Sequence, residues 1–401
     1  MPLPLRRKLV IDYYLGSLLH ALLKPPTIAA GKLLRRDHDL QHCSSVTVLK
    51  MLGGGSLVIA YPALLALKRS TKIRRLCLVT TPAVEPFARV LGLFDEIITI
   101  RDRSLTSLAA DSARAAIRLR RCDALVDLEV HSRLTTVFSL LTCARNRLGF
   151  YTGESFWRRR LSTHLLFANV ANGIHQSYDQ IAGLFGAPIP PAAECQAQFR
   201  LGLGLTAPGA PEKPRRIALA PCCSDLSRER MLRPTEWGAI LRARLGASPP
   251  EEFHLLAGPG DGAVLEEIRR ILAADFPGIP ALNHAGLPLE ESVRQLARCQ
   301  RLFSIDSALL HFGRLLGVPT VSFWGPTDPA SLLRAGPAGR DEIHYRKISC
   351  SPCVHLAQQP PCGGDNLCMR LAADPSLMLD LNPAWIVADR DVRRFFRKSA
   401  P

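Results

Sequence analysis

Residues 301–329 read RLFSIDSALLHFGRLLGVPTVSFWGPTDP, and the order of elements within this stretch decides the fold. The apolar run at 301–305 passes directly into a helical segment that ends at Gly317. Pro319 then opens a second apolar run, which leads into a Gly-Pro-Thr turn at 325–327. A strand, a helix and a strand in immediate succession predict a βαβ unit of a buried parallel sheet.

Outward from this unit, short apolar runs alternate with helical stretches along most of the chain. A segment rich in proline and glycine, LGLTAPGAPEKPRR, interrupts the alternation halfway and is typical of a linker. We therefore predict an α/β protein with two Rossmann-like doubly wound domains that face a central cleft. The further strands are predicted at 46–52, 75–81, 96–100, 123–128, 147–150, 216–221, 252–258 and 319–324.

Length and patterning also place the domain boundaries. A chain of 401 residues is too long for one ordinary core and suits two domains. The predicted organisation is an amphipathic basic segment at 1–40, a first Rossmann-like domain at 41–202, a linker at 203–215, a second Rossmann-like domain at 216–381 and a C-terminal helix at 382–401.

The composition limits the classes of partner. The chain is 47% hydrophobic and 21% charged, which indicates a folded globular protein. Its formal net charge of +16 favours anionic partners. The basic residues are dispersed and no nucleic-acid-binding motif is present, so we expect phosphorylated ligands or an acidic membrane surface and no nucleic acid.

The N-terminal segment has two interpretations. Asp12, Gly16, His20 and Lys24 recur every four residues and form one polar stripe on a helix that we expect to end at Pro25-Pro26. Apolar residues fill the rest of its surface and basic residues flank it. It is either an interfacial helix on an anionic membrane or a helix packed on the first domain or on a partner.

Location follows from what the sequence lacks. No signal peptide is evident, and no stretch reaches the roughly 18–20 apolar residues that a transmembrane helix needs. We expect a cytoplasmic protein that lies peripherally on the inner membrane.

The strongest candidate ligand site follows the strand at 301–305. Asp306 occupies an N-cap position, and the amides of Ser307, Ala308 and Leu309 begin the helix. With the helix dipole these amides form an anion site suited to a diphosphate. The neighbouring strand exit adds Gly325 and Thr327, so the pattern predicts a phosphate-and-polyol site. The alternative is an ordinary capped helix followed by a turn.

These residues carry a resemblance to a known family. The segment 304–329 resembles the signature of glycosyltransferase family 9, the lipopolysaccharide heptosyltransferases and their relatives. PALLALKR after the first strand and RLGFYT at 147–152 extend the resemblance over about residues 45–395. The positions that fall on the late motif are Asp306, Ser307, His311, Pro319, Trp324, Gly325, Pro326, Thr327 and Pro329.

The resemblance implies a GT-B fold, a function and residue roles. It implies metal-independent, inverting transfer of a hexose or heptose from a nucleotide-diphosphate donor to lipopolysaccharide or another lipid-linked envelope glycan. The first domain would bind this acceptor and the second the donor. Asp306 would bind donor-sugar hydroxyls, the amides of Ser307 to Leu309 the diphosphate, and His311 would support that loop.

The first glycine loop departs from the family. The family carries an Asp, the expected general base, where this chain has Ser56 after Gly54 and Gly55. Inverting transfer requires a base for the acceptor hydroxyl, so we predict that Glu129 replaces it. The alternatives are that Glu129 pairs with Arg133 or that the enzyme is inactive.

The basic residue of the second domain is displaced as well. Met231 stands where the family has Lys or Arg, so we expect Arg230, or next Arg233, to neutralise the leaving diphosphate. The alternative is a solvated basic turn. Asp261 follows a strand and either holds the nucleotide ribose or caps the next helix.

Two further groups have open interpretations. Four cysteines predict either a structural zinc site or free or disulfide-bonded thiols, with no cofactor required for catalysis. A set of arginines lies where the resemblance places acceptor recognition, or forms a solvated face. The cysteines are Cys350, Cys353, Cys362 and Cys368, and the arginines are Arg145, Arg147, Arg158, Arg159 and Arg160.

The leading functional hypothesis is therefore an enzyme. A catalytically silent protein that keeps the same two domains and binds a nucleotide sugar or glycan is the first alternative, because Ser56 and Met231 depart from the family. An epimerase of the same fold is the second. Release of nucleoside diphosphate in the presence of an acceptor separates the enzyme from the binding protein.

Overall fold

The chain folds around two parallel sheets. A computed structural model describes residues 4–35, 37–205, 214–224, 227–336, 339–354, 356, 360–362 and 365–374. Both sheets have six strands, and in both the fourth strand in chain order lies beside the first. This order gives each sheet a switch point at which the strand order reverses, and ligands bind outside the carboxyl ends of the strands there.

The first sheet has the order β3-β2-β1-β4-β5-β6. Its central strands are buried on both faces because the helices between them cover the sheet on both sides. The strands are β1 (Ser45–Lys50), β2 (Arg75–Thr80), β3 (Glu96–Thr99), β4 (Ala124–Asp127), β5 (Asn146–Tyr151) and β6 (His164–Phe167). The helices are α1 (Leu5–Leu34), α2 (Gly54–Ile59), α3 (Tyr61–Arg69), α4 (Glu85–Leu91), α5 (Leu105–Arg118), α6 (Arg133–Leu141), α7 (Ile174–Leu184) and α8 (Ala192–Gly202).

The second sheet repeats this order as β12-β11-β10-β7-β8-β9. Its strands are β7 (Arg216–Ala220), β8 (Glu252–Leu255), β9 (Ala281–Asn283), β10 (Arg301–Ile305), β11 (Thr320–Trp324) and β12 (Asp341–Tyr345). Its helices are α9 (Pro234–Leu245), α10 (Gly262–Asp275), α11 (Leu289–Ala297), α12 (Ala308–Leu316), α13 (Pro329–Leu332) and α14 (Leu367–Ala373).

Every strand predicted from the sequence is present within a few residues of its expected bounds. The sequence missed β6, β9 and β12, which all lie at sheet edges. Edge strands are covered on fewer sides, so they lack the continuous apolar run that marked the central strands. Much of the linker, at 206–213, and the predicted helix at 382–401 lie outside the described residues.

Helix α12 joins the two domains. Its Phe312 is fully buried and stacks between Phe87 of α4 and Phe199 of α8, at ring-centroid distances of 6.1 and 5.8 Å. Arg200 of α8 donates to the Leu316 carbonyl oxygen at the far end of α12. A helix of the second domain therefore packs against the first, which brings the carboxyl edges of both sheets together.

Helix α1 differs from its prediction. It continues through Pro25 and Pro26 to Leu34, so the expected end at the prolines was wrong. An interior proline removes one helical hydrogen bond and crowds the preceding turn. Contacts on the N-terminal side of the prolines help to hold the helix, since Lys24 Nζ donates to the Trp157 carbonyl oxygen at 3.3 Å. Among the described residues no helix is long and apolar enough to cross a membrane.

The polar stripe of α1 faces the protein. The Asp12 carboxylate accepts hydrogen bonds from the Arg133 and Leu134 amides, both at 2.9 Å, and thereby caps α6 from another element. His20 Nε2 donates to the Arg133 carbonyl oxygen at 3.1 Å. A Cβ atom on Gly16 would lie 2.4 Å from the Arg133 Cβ, so only glycine permits this close approach. Of the interpretations that the sequence left open, a helix packed on the first domain is the one that fits this stripe.

The Asp12 cap predicts a local loss of protection. Asp12→Ala removes the acceptor for the Arg133 and Leu134 amides, and losing such a cap typically costs about 0.5–2 kcal/mol. Hydrogen exchange at these two amides should therefore accelerate by roughly a factor of ten. Glu267→Ala, which removes an exposed acid on α10, is the control and should leave these amides unchanged. Unchanged exchange in Asp12→Ala would contradict the cap.

Candidate functional site

The N-terminus of α12 lies at the carboxyl end of β10. The N-cap residue is Ser307, which has extended backbone angles, so the N-cap position expected for Asp306 was off by one residue. The Ser307 hydroxyl lies 3.2 Å from that of Ser304 and makes no capping hydrogen bond. The first amides of the helix, at Ala308 and Leu309, have no acceptor within the helix and carry its positive dipole end.

Asp306 is the centre of a buried ionic cluster. Arg230 Nη1 donates to its Oδ2 at 3.0 Å and to its backbone carbonyl at 2.9 Å. His311 Nε2 lies 3.6 Å from its Oδ1. Burial alone would raise the pKa of Asp306, but the hydrogen bond from His311 and the charge of Arg230 outweigh it and lower the pKa to about 2. Asp306 is therefore ionised at neutral pH.

The cluster fixes the Arg230 guanidinium where β7 and β10 end. Both Asp306 oxygens are engaged, and Asp306 and His311 are more than nine-tenths buried. Arg230 is further held by a 3.1 Å bond from its Nε to the Ser227 carbonyl oxygen. Arg230, one of two arginines that the sequence indicated, thus lies directly beside the predicted anion site at α12.

The loop that follows β11 contributes a hydroxyl group. Thr327 is buried, and within the described residues its Oγ1 has no hydrogen-bond partner. Such a group is expensive to bury unless something binds it. Gly325 has a packing role, because a Cβ there would lie 2.7 Å from the Cys368 Sγ on α14.

Asp261 lies at the carboxyl end of the adjacent strand β8. It is buried and begins α10, but its side chain makes no capping hydrogen bond. Its Oδ1 accepts from Arg228 Nη2 at 3.4 Å. Arg233, the second candidate for the basic role, is 65% exposed and lies 3.9 Å from Asp365.

The glycine loop of the first domain contacts α12 across the domain boundary. Gly53 has a φ of +73°, which glycine adopts without strain. A Cβ on Gly54 would enter the ring of Phe87, at 2.3 Å from its Cδ2. A Cβ on Gly55 would lie 3.5 Å from the Ala308 Cα, in ordinary contact. The start of α2 therefore abuts the start of α12, which brings the predicted acceptor and donor sides together.

Glu129 is bound to this same loop. Its Oε1 accepts the Met51 amide at 2.8 Å and the Leu52 amide at 2.9 Å, and Lys50 Nζ lies 3.2 Å from it. The partner of Glu129 is thus Lys50, and the suggested pairing with Arg133 was wrong. Arg133 stacks instead over the ring of Tyr13, 4.6 Å from its centroid.

Lys50 and Tyr178 complete a polar cluster that sequence reasoning missed. Burial opposes the charge of Lys50, but the attraction of Glu129 outweighs it and raises the Lys50 pKa. The Tyr178 hydroxyl is buried beside Lys50, Glu129 and Ser56. Lys50 could have been identified from the sequence, because it is a lysine at the end of a predicted buried strand. Nothing in the local sequence marks Tyr178.

A second buried ion pair, Arg158 with Asp127, holds the segment that carries Glu129. Arg158 is fully buried and lies 3.3 Å from Asp127, the last residue of β4. It also donates to the Glu129 carbonyl oxygen. A Cβ on Gly149 would lie 2.9 Å from Arg158 Nη1, which explains the glycine in the RLGF segment. Burial raises the pKa of Asp127 to about 6, although Arg158 opposes the shift.

The arginines predicted to recognise the acceptor do not form one surface. Arg145 and Arg147 lie at the amino end of β5, on the edge opposite the glycine loop. Arg158 is buried as described, and Arg159 and Arg160 are exposed. Only the last two remain available to a ligand near the carboxyl edge.

The four clustered cysteines are free thiols. Among the described residues no three His, Cys, Asp or Glu side chains group closely enough to hold an ion, and all twelve cysteines are free thiols. Burial raises the pKa of the Cys368 thiol to about 12. The zinc alternative therefore stays a prediction.

Sequence similarity to known proteins covers a small part of the chain. No family model matches the chain. Lipopolysaccharide heptosyltransferase 1 of Pseudomonas aeruginosa is 31% identical over 98 residues, which are 24% of this chain and 25% of that protein. The chain thus matches only a quarter of that relative's length.

Two solved structures match far more of the chain. The glycosyltransferase family 9 protein of Veillonella parvula has a TM-score of 0.58 at 16% identity, over 78% of this chain and 88% of the other. The heptosyltransferase WaaC of Escherichia coli, solved with ADP, has a TM-score of 0.54 at 16% identity, over 89% and 100%. The GT-B fold is therefore confirmed, and so is the structural resemblance to family 9.

The Asp306 cluster makes a prediction about acid stability. The folded-state pKa of Asp306 lies below its usual value, so its ionised form stabilises the protein above about pH 4, and this stability is lost as the pH falls towards 2. Arg230→Met leaves a buried charge without its partner, which typically costs about 3–5 kcal/mol. Acid unfolding, followed through buried Trp237, should then begin at higher pH.

Arg228→Met is the matched control. Arg228 pairs with Asp261, but its side chain is 53% exposed, and exposed pairs contribute at most about 1 kcal/mol. Equal effects of the two substitutions would show that Arg230 has no special electrostatic role.

Proposed function

We propose that this chain, which has the fold of the family 9 heptosyltransferases, is a glycosyltransferase. It moves a sugar, with heptose as the first candidate, from a nucleoside diphosphate to a hydroxyl of a lipid-linked envelope glycan. The observation that carries the proposal is the cluster of Arg230, Asp306 and His311 at the start of α12, directly opposite the glycine loop. That arrangement joins an anion site to a second substrate surface across one cleft.

The donor side follows from charge. The Ala308 and Leu309 amides bind the diphosphate, and Arg230 lies beside them with its orientation set by Asp306. As the glycosidic bond to the diphosphate breaks, negative charge grows on the leaving oxygen. Fixed amides and a guanidinium stabilise that charge without a metal ion.

The acceptor side needs a base, and we assign it to Glu129. Its Oε1 is occupied by two amides and Lys50, so Oε2 is the oxygen that takes the proton. The acceptor oxygen attacks the anomeric carbon from the face opposite the diphosphate, in one displacement that inverts the configuration. Lys50 holds the carboxylate in place and is a positioning residue.

A donor panel tests the proposal. Purified protein is offered ADP-, GDP- and UDP-linked sugars with a truncated lipopolysaccharide acceptor, and release of nucleoside diphosphate is measured. Acceptor-dependent release from ADP-heptose is expected. Tight donor binding without release in any combination would support the silent binding protein instead. Release of free nucleotide or an epimerised sugar without acceptor would favour an epimerase.

Glu129→Gln tests the base directly. Glutamine keeps an oxygen for the Met51 and Leu52 amides but cannot take a proton at neutral pH. A positioned base contributes about 10²–10⁴-fold, so kcat should fall by that factor while donor affinity stays nearly constant. Ser56→Ala is the control and should cost much less.

The outcomes separate a base from a structural residue. A loss in kcat with unchanged thermal stability and loss of the acidic limb of the pH profile supports the assignment. Activity within a few-fold of wild type would refute it, and Asp127 or His131 would be the next candidates. A parallel fall in donor affinity and melting temperature would indicate that Glu129 only holds the loop.

A further inference from the structure

Helix α1 buries its polar stripe and exposes its apolar residues. Its polar stripe packs on the first domain through Asp12 and His20, as described above. Its apolar residues consequently face outwards, whereas an ordinary surface helix buries them. The large apolar side chains exposed on it are Leu9, Val10, Tyr13, Tyr14, Leu15, Leu18, Leu22, Leu33 and Leu34, with exposed fractions from 44% to 85%. We name these residues the α1 apolar face.

The position of α1 links this face to the cleft. Lys8 pairs with Asp102, in the segment after β3, and Asp12 binds the segment after β4. Lys24 bonds to Trp157, in the segment after β5. Parallel strands end at one edge, so α1 lies along the carboxyl edge of the first sheet. The glycine loop after β1 and Glu129 after β4 open at that same edge.

Exposed aromatic side chains extend the apolar surface beside α1. Phe156 is 46% exposed and Phe167 is 54% exposed, and both rings pack on Tyr151 at 5.6 and 5.5 Å. Arg159 lies over the Phe156 ring, 5.6 Å from its centroid. An apolar patch of this extent on a folded protein marks an interaction site.

Charge identifies the occupant. Basic side chains are exposed at both ends of the α1 apolar face and beside its aromatic extension: Arg7, Lys32, Arg35, Arg159 and Arg160. An apolar helix face bordered by lysine and arginine fits the boundary between acyl chains and anionic headgroups. A second copy of the chain would bring these like charges together and is disfavoured.

We propose that the α1 apolar face, with Phe156 and Phe167, docks the protein on an anionic lipid bilayer. The helix lies in the plane of the interface, and the mouth of the first domain opens beside the lipid surface. Docking needs no sugar transfer and stands independently of the proposed function. If transfer occurs, the docked protein meets acceptors that are themselves anchored in the bilayer.

Vesicle co-sedimentation of the full chain tests the docking. Wild-type protein should bind vesicles that contain phosphatidylglycerol and bind pure phosphatidylcholine vesicles far less. Its binding to the anionic vesicles should weaken at high salt. Leu18→Glu/Leu22→Glu replaces two outward side chains that are 57% and 62% exposed. Since each buried leucine contributes strongly to partitioning, this variant should bind at least about tenfold less.

Matched variants separate docking from folding. Ile117→Glu/Leu201→Glu makes the same change at apolar side chains that are 73% and 69% exposed on other helices, and should bind like wild type. Arg159→Gln/Arg160→Gln leaves α1 intact and should weaken binding to anionic vesicles only. Equal melting temperatures across the set confirm that folding is unaffected.

Three results would overturn the proposal. One is absence of wild-type binding to any vesicle, and another is undiminished binding of Leu18→Glu/Leu22→Glu. The third is a stable wild-type dimer in analytical ultracentrifugation that this double variant converts to a monomer, because the α1 apolar face would then be occupied by a second copy.

Discussion

The burial of one carboxylate constrains the cleft. Asp306 is 4% exposed; Arg230 donates to its Oδ2 and to its backbone carbonyl oxygen, and His311 Nε2 lies 3.6 Å from its Oδ1. Those bonds fix Arg230 beside the first amides of α12. The pairing with Asp306 therefore positions the guanidinium on which the proposed donor site depends.

The same helix fixes the distance between the two halves of the cleft. Phe312 is packed between aromatic rings of the first domain, and the start of α2 at Gly55 lies against Ala308. Glu129 is in turn held against the glycine loop by backbone amides and Lys50. Anion site, loop and carboxylate thus form one connected structure across two domains.

Much of the fold could be predicted from the sequence, because the central strands of a parallel sheet are continuous apolar runs. The edge strands β6, β9 and β12 leave no such signal. At the site, the family resemblance indicated both Arg230 and Asp306, which lie in contact in the structure. Tyr178, however, reaches the loop from a distant helix, and no local pattern reports such a contact. Helix α1 continued through two prolines because tertiary contacts outweigh local propensity.

The most direct test of the central claim is a crystal structure of the protein with a nucleotide-diphosphate sugar. The account predicts the diphosphate at the Ala308 and Leu309 amides, within reach of Arg230, with the sugar directed towards the loop from Gly53 to Ser56. A diphosphate bound elsewhere, with the start of α12 left empty at saturating ligand, would contradict it.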